Sequence, residues 1–386
     1  MVKYAIVDTV DSLRSSYDVV IVGARCAGAA TALLLARAGL DVLVVEQGRR
    51  GADTLSTLAL MRGAVLQLKR WGLIEAIEAA GTPKIKTTTF HYGNSAIEIQ
   101  IKPRDGVDAL YAPRRTVLDP LIAAAAVSAG AQIAYRVRVK ELLRDEVGRV
   151  SGVLVESHGV KRTIGATVVV GADGINSTVA GRVGAVAYRT GHHMSGLIYT
   201  RVRDLNVDGY HWHYVPGATL GVIPTNNGET VVFGAAARDR FMGDLRCALP
   251  AGFHAIVRET SPELAAALGA APLSPYRAFA GLPGFMRPAW GPGWALVGDA
   301  GYFKDPITAH GITDALRDAE LLAHAIVRGT DAALAEYQAL RDQLSGGLFA
   351  ITDEIASFAW DLPRVQALHK SLSEEMNREV SLLTAA

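Results

Sequence analysis

Three stretches of this chain place glycine, and then a carboxylate or a helix start, directly after an apolar run. They are VIVGARCAG (20–28), VVVGADGINS (168–177) and WALVGDAGYFKDPITAHG (294–311). Such stretches recognise phosphates and sugars, because a helix N-terminus offers free N–H groups and the positive end of its dipole to a pyrophosphate. A dinucleotide loop reads G-x-G-x-x-G. Here it reads Gly23-Ala24-Arg25-Cys26-Ala27-Gly28, with Arg25 at the middle glycine. Gly23 supplies the tight turn, and Gly28, next to Ala27, lets helix and strand approach. Glu46 follows about 20 residues on, at a strand end, where a carboxylate accepts ribose hydroxyls and disfavours a 2′-phosphate. Alone, the loop is equally an ordinary turn of an α/β protein. Three such strand ends are a stronger sign, since open α/β sheets bind ligands beyond the carboxyl ends of their strands.

Holding these residues takes a βαβ unit. Val19 to Val22 reads as a buried parallel strand and Cys26 to Ala38 as a helix ending at Gly39. Val42 to Val45 reads as a second buried strand closed by Glu46. Further helices are expected at 61–71 and 116–129, alternating strands at 87–101, and several strands between 132 and 170. From His193 to Ala236 four stretches alternate in polarity, as a half-exposed antiparallel sheet does. After Thr308 the pattern is helical, with breaks expected near Gly346-Gly347 and Pro363.

The bulk numbers exclude other classes. With 386 residues, half of them hydrophobic, a large core in two domains is expected. A net charge of +1 without charge blocks argues against nucleic acid as a partner. Cys26 and Cys247 lack metal-ligand spacing, so the expected setting is a reducing cytoplasm. No apolar run is long enough to span a membrane.

As an ordered set, the three stretches make the chain resemble the FAD-dependent monooxygenase family typified by p-hydroxybenzoate hydroxylase, from about Tyr17 to Arg328. The implied fold is α/β: a Rossmann-like FAD-binding domain with a parallel sheet, an inserted antiparallel-sheet substrate domain, and C-terminal helices. The expected bounds are an N-terminal extension (1–16, loosely attached), the FAD domain (17–188, with inserted strands at about 86–112), the substrate sheet (189–280), a return to the FAD domain (281–330) and the helices (331–386).

The resemblance implies that Gly23, Gly28 and Glu46 hold the ADP half of FAD. It assigns Gly298 and Asp299 to the ribityl chain or pyrophosphate, and the turn from Pro306 through Gly311 to Ile312 to the isoalloxazine. Arg62 of MRGAVLQL matches a position that reaches the flavin diphosphate. The stretch beginning at Arg115 is similar to R-x-x-L-x-x-x-L, with Ile122 last, and Asp173 matches a motif supporting both FAD and pyridine nucleotide. On their residues alone, Arg62 and Arg115 are equally helix-surface groups, and Asp173 a turn or cap. Two departures stand out. Val179-Ala180 ends the second motif where the family has arginine, which weakens the case for direct NAD(P)H handling. His310 replaces a glutamine beside the flavin, as a hydrogen-bond donor, a proton shuttle, a covalent anchor or a packing substitution.

In the resembling family NAD(P)H reduces FAD, O2 adds at the flavin C4a carbon, and the hydroperoxide oxidises the substrate. A separate flavin reductase is the alternative electron source. An apolar or aromatic small molecule of secondary metabolism, hydroxylated or epoxidised, is the implied substrate. It would lie against His193, Tyr199, His211, His213, Tyr214 and Val222, although strand alternation turns about half of these away. His211-Trp212-His213 offers two imidazoles and no third ligand nearby in sequence, so no metal is expected. Other readings share the motifs: a reductase of geranylgeranyl reductase type, a flavin-dependent halogenase, and a non-catalytic FAD-binding protein. The halogenase signature W-x-W-x-I-P is only loosely matched at His211 to Pro216, with both tryptophans replaced.

Overall fold

The computed structural model describes residues 6–269 and 274–385. Its centre is a parallel sheet in which Gln132–Tyr135, Val42–Glu46, Ser16–Val22, Val160–Gly171 and Trp294–Leu296 lie side by side in that order. Branched side chains fill these strands because both faces are covered. On one face the helix Cys26–Arg37 packs against Arg115–Ser128 and Gly311–Arg328. The antiparallel strands Arg138–Arg144 and Val150–Ser157 extend the sheet from Val160–Gly171, and their valines build a second core.

The second sheet runs Arg277–Phe279, Ser195–Arg203, Glu229–Ala237, Ala218–Pro224, Tyr210–Val215, Thr87–Tyr92 and Ser95–Gln100. Its alternation splits it into two faces. Leu197, Tyr199, Tyr210, Trp212 and Phe233 turn into the large core shared with the first sheet. Ile198, Val202, Val222 and Val232 turn the other way, under the helix Leu249–Thr260 and its Phe253. The strands expected as an insertion in the cofactor domain form one edge of this sheet, paired in parallel through Thr87–Tyr92 with Tyr210–Val215.

Two expectations need correction. The stretch ahead of Tyr17 is not loosely attached from Ile6 onward. Ile6–Val7 pairs in parallel with Gln132–Tyr135, and Val10 and Leu13 are buried. No break falls at Gly346-Gly347, which lie inside the continuous helix Asp331–Ala356. A side chain at Gly347 would press on the Glu375 carboxylate of the neighbouring helix, so this glycine serves close packing. The break expected near Pro363 is present: one helix ends at Ala356, and Pro363 stands second in the next, Leu362–Ala385, where a missing N–H costs nothing. Among the described residues, no helix is long and apolar enough to cross a membrane.

Candidate functional site

A cavity of about 590 Å³ opens where the strands ending at Val22, Glu46, Gly171 and Leu296 stop. Gly23 turns the chain there with φ +106°, its N–H bonded to the Val45 carbonyl at 2.8 Å. A Cβ at Gly23 would strike the Ala172 carbonyl, and one at Gly28 the Gly23 carbonyl oxygen. Both glycines therefore answer to backbone contact. The helix that follows starts with no side-chain cap and no acid in its first turn, so its amides are left for an anion. Arg25 is exposed on the cavity wall, and among the described residues its guanidinium has no partner. Glu46 shapes the loop, accepting the N–H of Ala24 at 2.9 Å and of Gly48 at 2.7 Å while keeping lone pairs for a ribose.

Arg115 lines the same cavity, held in a bidentate pair by Asp119 at 2.9 and 3.0 Å. The Cys26 thiol donates to that carboxylate at 2.9 Å, and burial pushes the thiol well above its ordinary range. Asp299 faces the cavity while protein surrounds it. Burial raises its carboxyl to about 6 against the pull of Arg115 and Lys304. Gly298, with φ +60°, brings that turn against Ala27. Asp173 lines the cavity but is also used locally, accepting from the Ser177 hydroxyl at 2.5 Å and the Thr178 amide at 2.6 Å.

The turn from Pro306 to Ile312 forms another wall, contributed by Pro306, Ala309, Gly311 and Ile312. Asp305 fixes it to the second sheet. Its carboxylate accepts from the amide and hydroxyl of Ser195, both at 2.6 Å, and from the Ile307 amide at 3.0 Å. Burial lifts Asp305 to about 6 despite these donors. Helix Gly311–Arg328 then begins without a side-chain cap.

His310 does not line the cavity. It is 1% exposed, and its Nε2 meets the Glu379 carboxylate at 2.9 Å. Glu379 also accepts from Arg317 at 2.8 Å, and Arg317 holds Asp314, Asp318 and the Ser345 hydroxyl. Burial drives His310 down more than Glu379 pulls it up, favouring a neutral imidazole. The residues of this network that reach the cavity are Lys304 and Asp314, which pair with each other. Burial and the Arg317 charge push Lys304 down to about 7, with Glu379, Asp299 and Asp318 opposing as anions must. Lys304 carried no motif signal.

Leu197, Tyr199, Phe279 and Phe303 close the side towards the second sheet, with Thr54, Leu55, Ser56 and Thr57 from an irregular loop. That loop has neither helical nor strand periodicity, and its clustered hydroxyls were the only sign of a role. Of the expected substrate residues, Tyr199 reaches the cavity. His211, His213 and Val222 occupy the opposite sheet face, as the pairing of His211 with Val222 requires. Tyr214 packs beneath Trp360 and His369, and His193 is half-exposed against Asp353 at 3.0 Å. Arg62 is also elsewhere. It donates to the carbonyls of Lys102, Arg104 and Val107 at 2.8 to 3.2 Å, clamping a loop that folds back over its helix.

A sequence family described as "FAD binding domain" matches residues 16–346. The digeranylgeranylglycerophospholipid reductase of Methanocella arvoryzae is 27% identical over 350 residues, covering 87% of this chain and 86% of that protein. Among solved structures, PqsL of Pseudomonas aeruginosa, described as a probable FAD-dependent monooxygenase, superposes with a TM-score of 0.77 at 21% identity. The match covers 92% of this chain and all of the other. The flavin-dependent brominase Bmp2 gives a TM-score of 0.76 at 21% identity, covering 94% and 100%.

Proposed function

Since this chain belongs to the FAD binding domain family and is an FAD-dependent oxidoreductase, we propose that it is a monooxygenase hydroxylating or epoxidising a small apolar or aromatic molecule. The residues present suit the cofactor: two glycines that backbone contact forbids replacing, an uncapped helix start, and an unpaired Arg25 beside it. In this reading those amides and Arg25 hold the pyrophosphate, Glu46 a ribose, and Asp299 with Arg115 the ribityl chain. The turn from Pro306 to Ile312 faces the ring system. When bound, the flavin supplies the redox chemistry and oxygen activation. The chain supplies position, a dry wall and charge, with Lys304 as the cation or proton donor nearest the turn.

The observation carrying the proposal is the aromatic lining of the cavity, where Tyr199, Phe279 and Phe303 share the wall with that turn. A flat, apolar substrate fits such a wall. NAD(P)H or a partner flavin reductase would provide electrons. The test is turnover under ¹⁸O2 with NAD(P)H and a panel of aromatic substrates. Label in the product supports the proposal, and oxidised or reduced product without label overturns it.

A second reading, reduction of an isoprenoid double bond, draws on the relative from Methanocella arvoryzae, which matches over most of both chains. Anaerobic turnover of a polyprenyl substrate by the reduced protein would support it over oxygenation.

A further inference from the structure

Three imidazoles meet on the face of the second sheet that looks away from the cavity. His91 comes from Thr87–Tyr92, and His211 and His213 come from Tyr210–Val215. The parallel pairing sets His91 opposite His213 and beside His211, 120 positions along the chain, so distant residues share one patch. One ring nitrogen of each lies within 4.8 Å of the other two, and all three rings are half-buried.

The hydrogen bonds around the patch resemble a coordination site holding a proton. His211 Nε2 lies 2.8 Å from the Asp208 carbonyl, which can only accept, so Nε2 carries the hydrogen and Nδ1 presents a lone pair. His91 Nε2 lies 3.0 Å from that Nδ1 and must therefore donate to it. Two nitrogens thus converge on one point. A backbone carbonyl that fixes the tautomer of a ligating histidine is the usual outer support of a metal site.

We propose that His91, His211 and His213 form a binding site for a divalent cation of the zinc type. On binding, His91 moves its proton from Nε2 to Nδ1, and the ion takes the place of the shared hydrogen without net proton release. Ring spacing supports this. Tetrahedral zinc with bonds of about 2.0–2.1 Å to nitrogen sets neighbouring imidazole centres about 5 Å apart. The His91–His211 centres are 5.4 Å apart, His91–His213 4.0 Å and His211–His213 6.4 Å. The rings lie nearly parallel, at 4° to 25°, with His213 stacked on His91, so binding also requires the His213 ring to turn out of that stack while it shifts by about 1 Å towards His211. Burial also lowers His91, and His213 to about 3, which keeps both in the neutral form that binds metal. Glu263, whose charge reaches His91, or water would complete the set. The ion would fasten the strand pair 87–100 to the sheet it edges.

The test uses the full-length, FAD-loaded protein, stripped with chelator and then titrated with Zn²⁺ against a competing dye. Co²⁺ serves as a spectroscopic probe of geometry. One zinc per chain and a tetrahedral cobalt spectrum are expected. His91→Ala and the milder His213→Gln should each weaken zinc more than ~100-fold while keeping FAD, which shows the fold is intact. Equal zinc uptake by the parent and both variants, or none by the parent, overturns the proposal.

Discussion

Replacing Arg317 with methionine should be the most damaging single change behind the cavity wall. Its guanidinium is fully buried and makes five hydrogen bonds, to Asp314, twice to Asp318, to Glu379 and to Ser345. Methionine keeps much of the stem's volume, so the loss is mainly one of charge. With His310 neutral, three carboxylates would then face Lys304, with help from Arg341, whose charge reaches Asp318. Asp318 would be hit hardest, since its Oδ2 already has no partner. Breaking a buried pair costs about 3–5 kcal/mol, and here one cation serves three anions, so the upper end applies. At a slope of ~5 kcal/mol per molar guanidinium, the unfolding midpoint should drop by about 1 M. Arg317→Lys keeps the charge without the planar fork and should lose roughly half as much. Denaturation followed by circular dichroism reads both. An Arg317→Met midpoint within ~0.2 M of the parent would refute this account of the cluster.

Other changes probe the cavity itself. Asp299→Ala should abolish flavin retention, and unchanged affinity in a spectral titration with FAD would mean the third strand end has been misread. Arg25→Ala should weaken FAD roughly tenfold at low salt and less at high salt, as a charge pair with phosphate requires. No difference at low salt would place the guanidinium away from the pyrophosphate. Gly28→Ala should give a colourless protein, because the added methyl strikes the Gly23 carbonyl; a yellow variant would deny that contact. The flavin-free protein should lose stability as pH falls from about 7 to 5. Burial holds Asp299 and Asp305 up at about 6, against about 3.9 when unfolded, but it also holds His213 down at about 3 and His369 at about 4, with His91 and His310 lowered as well, against about 6.5. In that window the four histidines outweigh the two aspartates, so the folded chain binds fewer protons than the unfolded one and stability rises with pH. Urea midpoints at the two pH values check this, with Asp305→Asn expected to steepen the trend. A midpoint higher at pH 5 than at pH 7 would contradict it.

The parts legible in the sequence were those whose signal is local. Gly23, Gly28 and Glu46 announce themselves by spacing, and the strands 195–237 by alternation, because one turn or one pleat imposes both patterns. Asp299 and the turn after Pro306 were reached through ordered motifs. What stayed hidden depends on partners far along the chain. Nothing near Arg62 says that it bonds the carbonyls of 102–107, and nothing near His310 foretells Glu379. The alternation warned that half the expected substrate residues would turn away, but not that His211 and His213 would, since the face is chosen by the helix that covers it. Arg25 shows the converse. It looked like a flaw in the loop, yet among the described residues it is an unpaired cation on the cavity wall.

The burial of Glu379 also bears on how the chain comes into being. Arg317 leaves the ribosome 62 residues ahead of this partner, so for that interval a guanidinium destined for the interior lacks one of its anions. Both sheets and the phosphate loop are by then already made. The wall behind the turn from Pro306 to Ile312 must therefore stay loose until the helix Leu362–Ala385 arrives and seats its carboxylate. The nascent protein would gain its grip on a cofactor only once that helix is made, well after the phosphate loop itself.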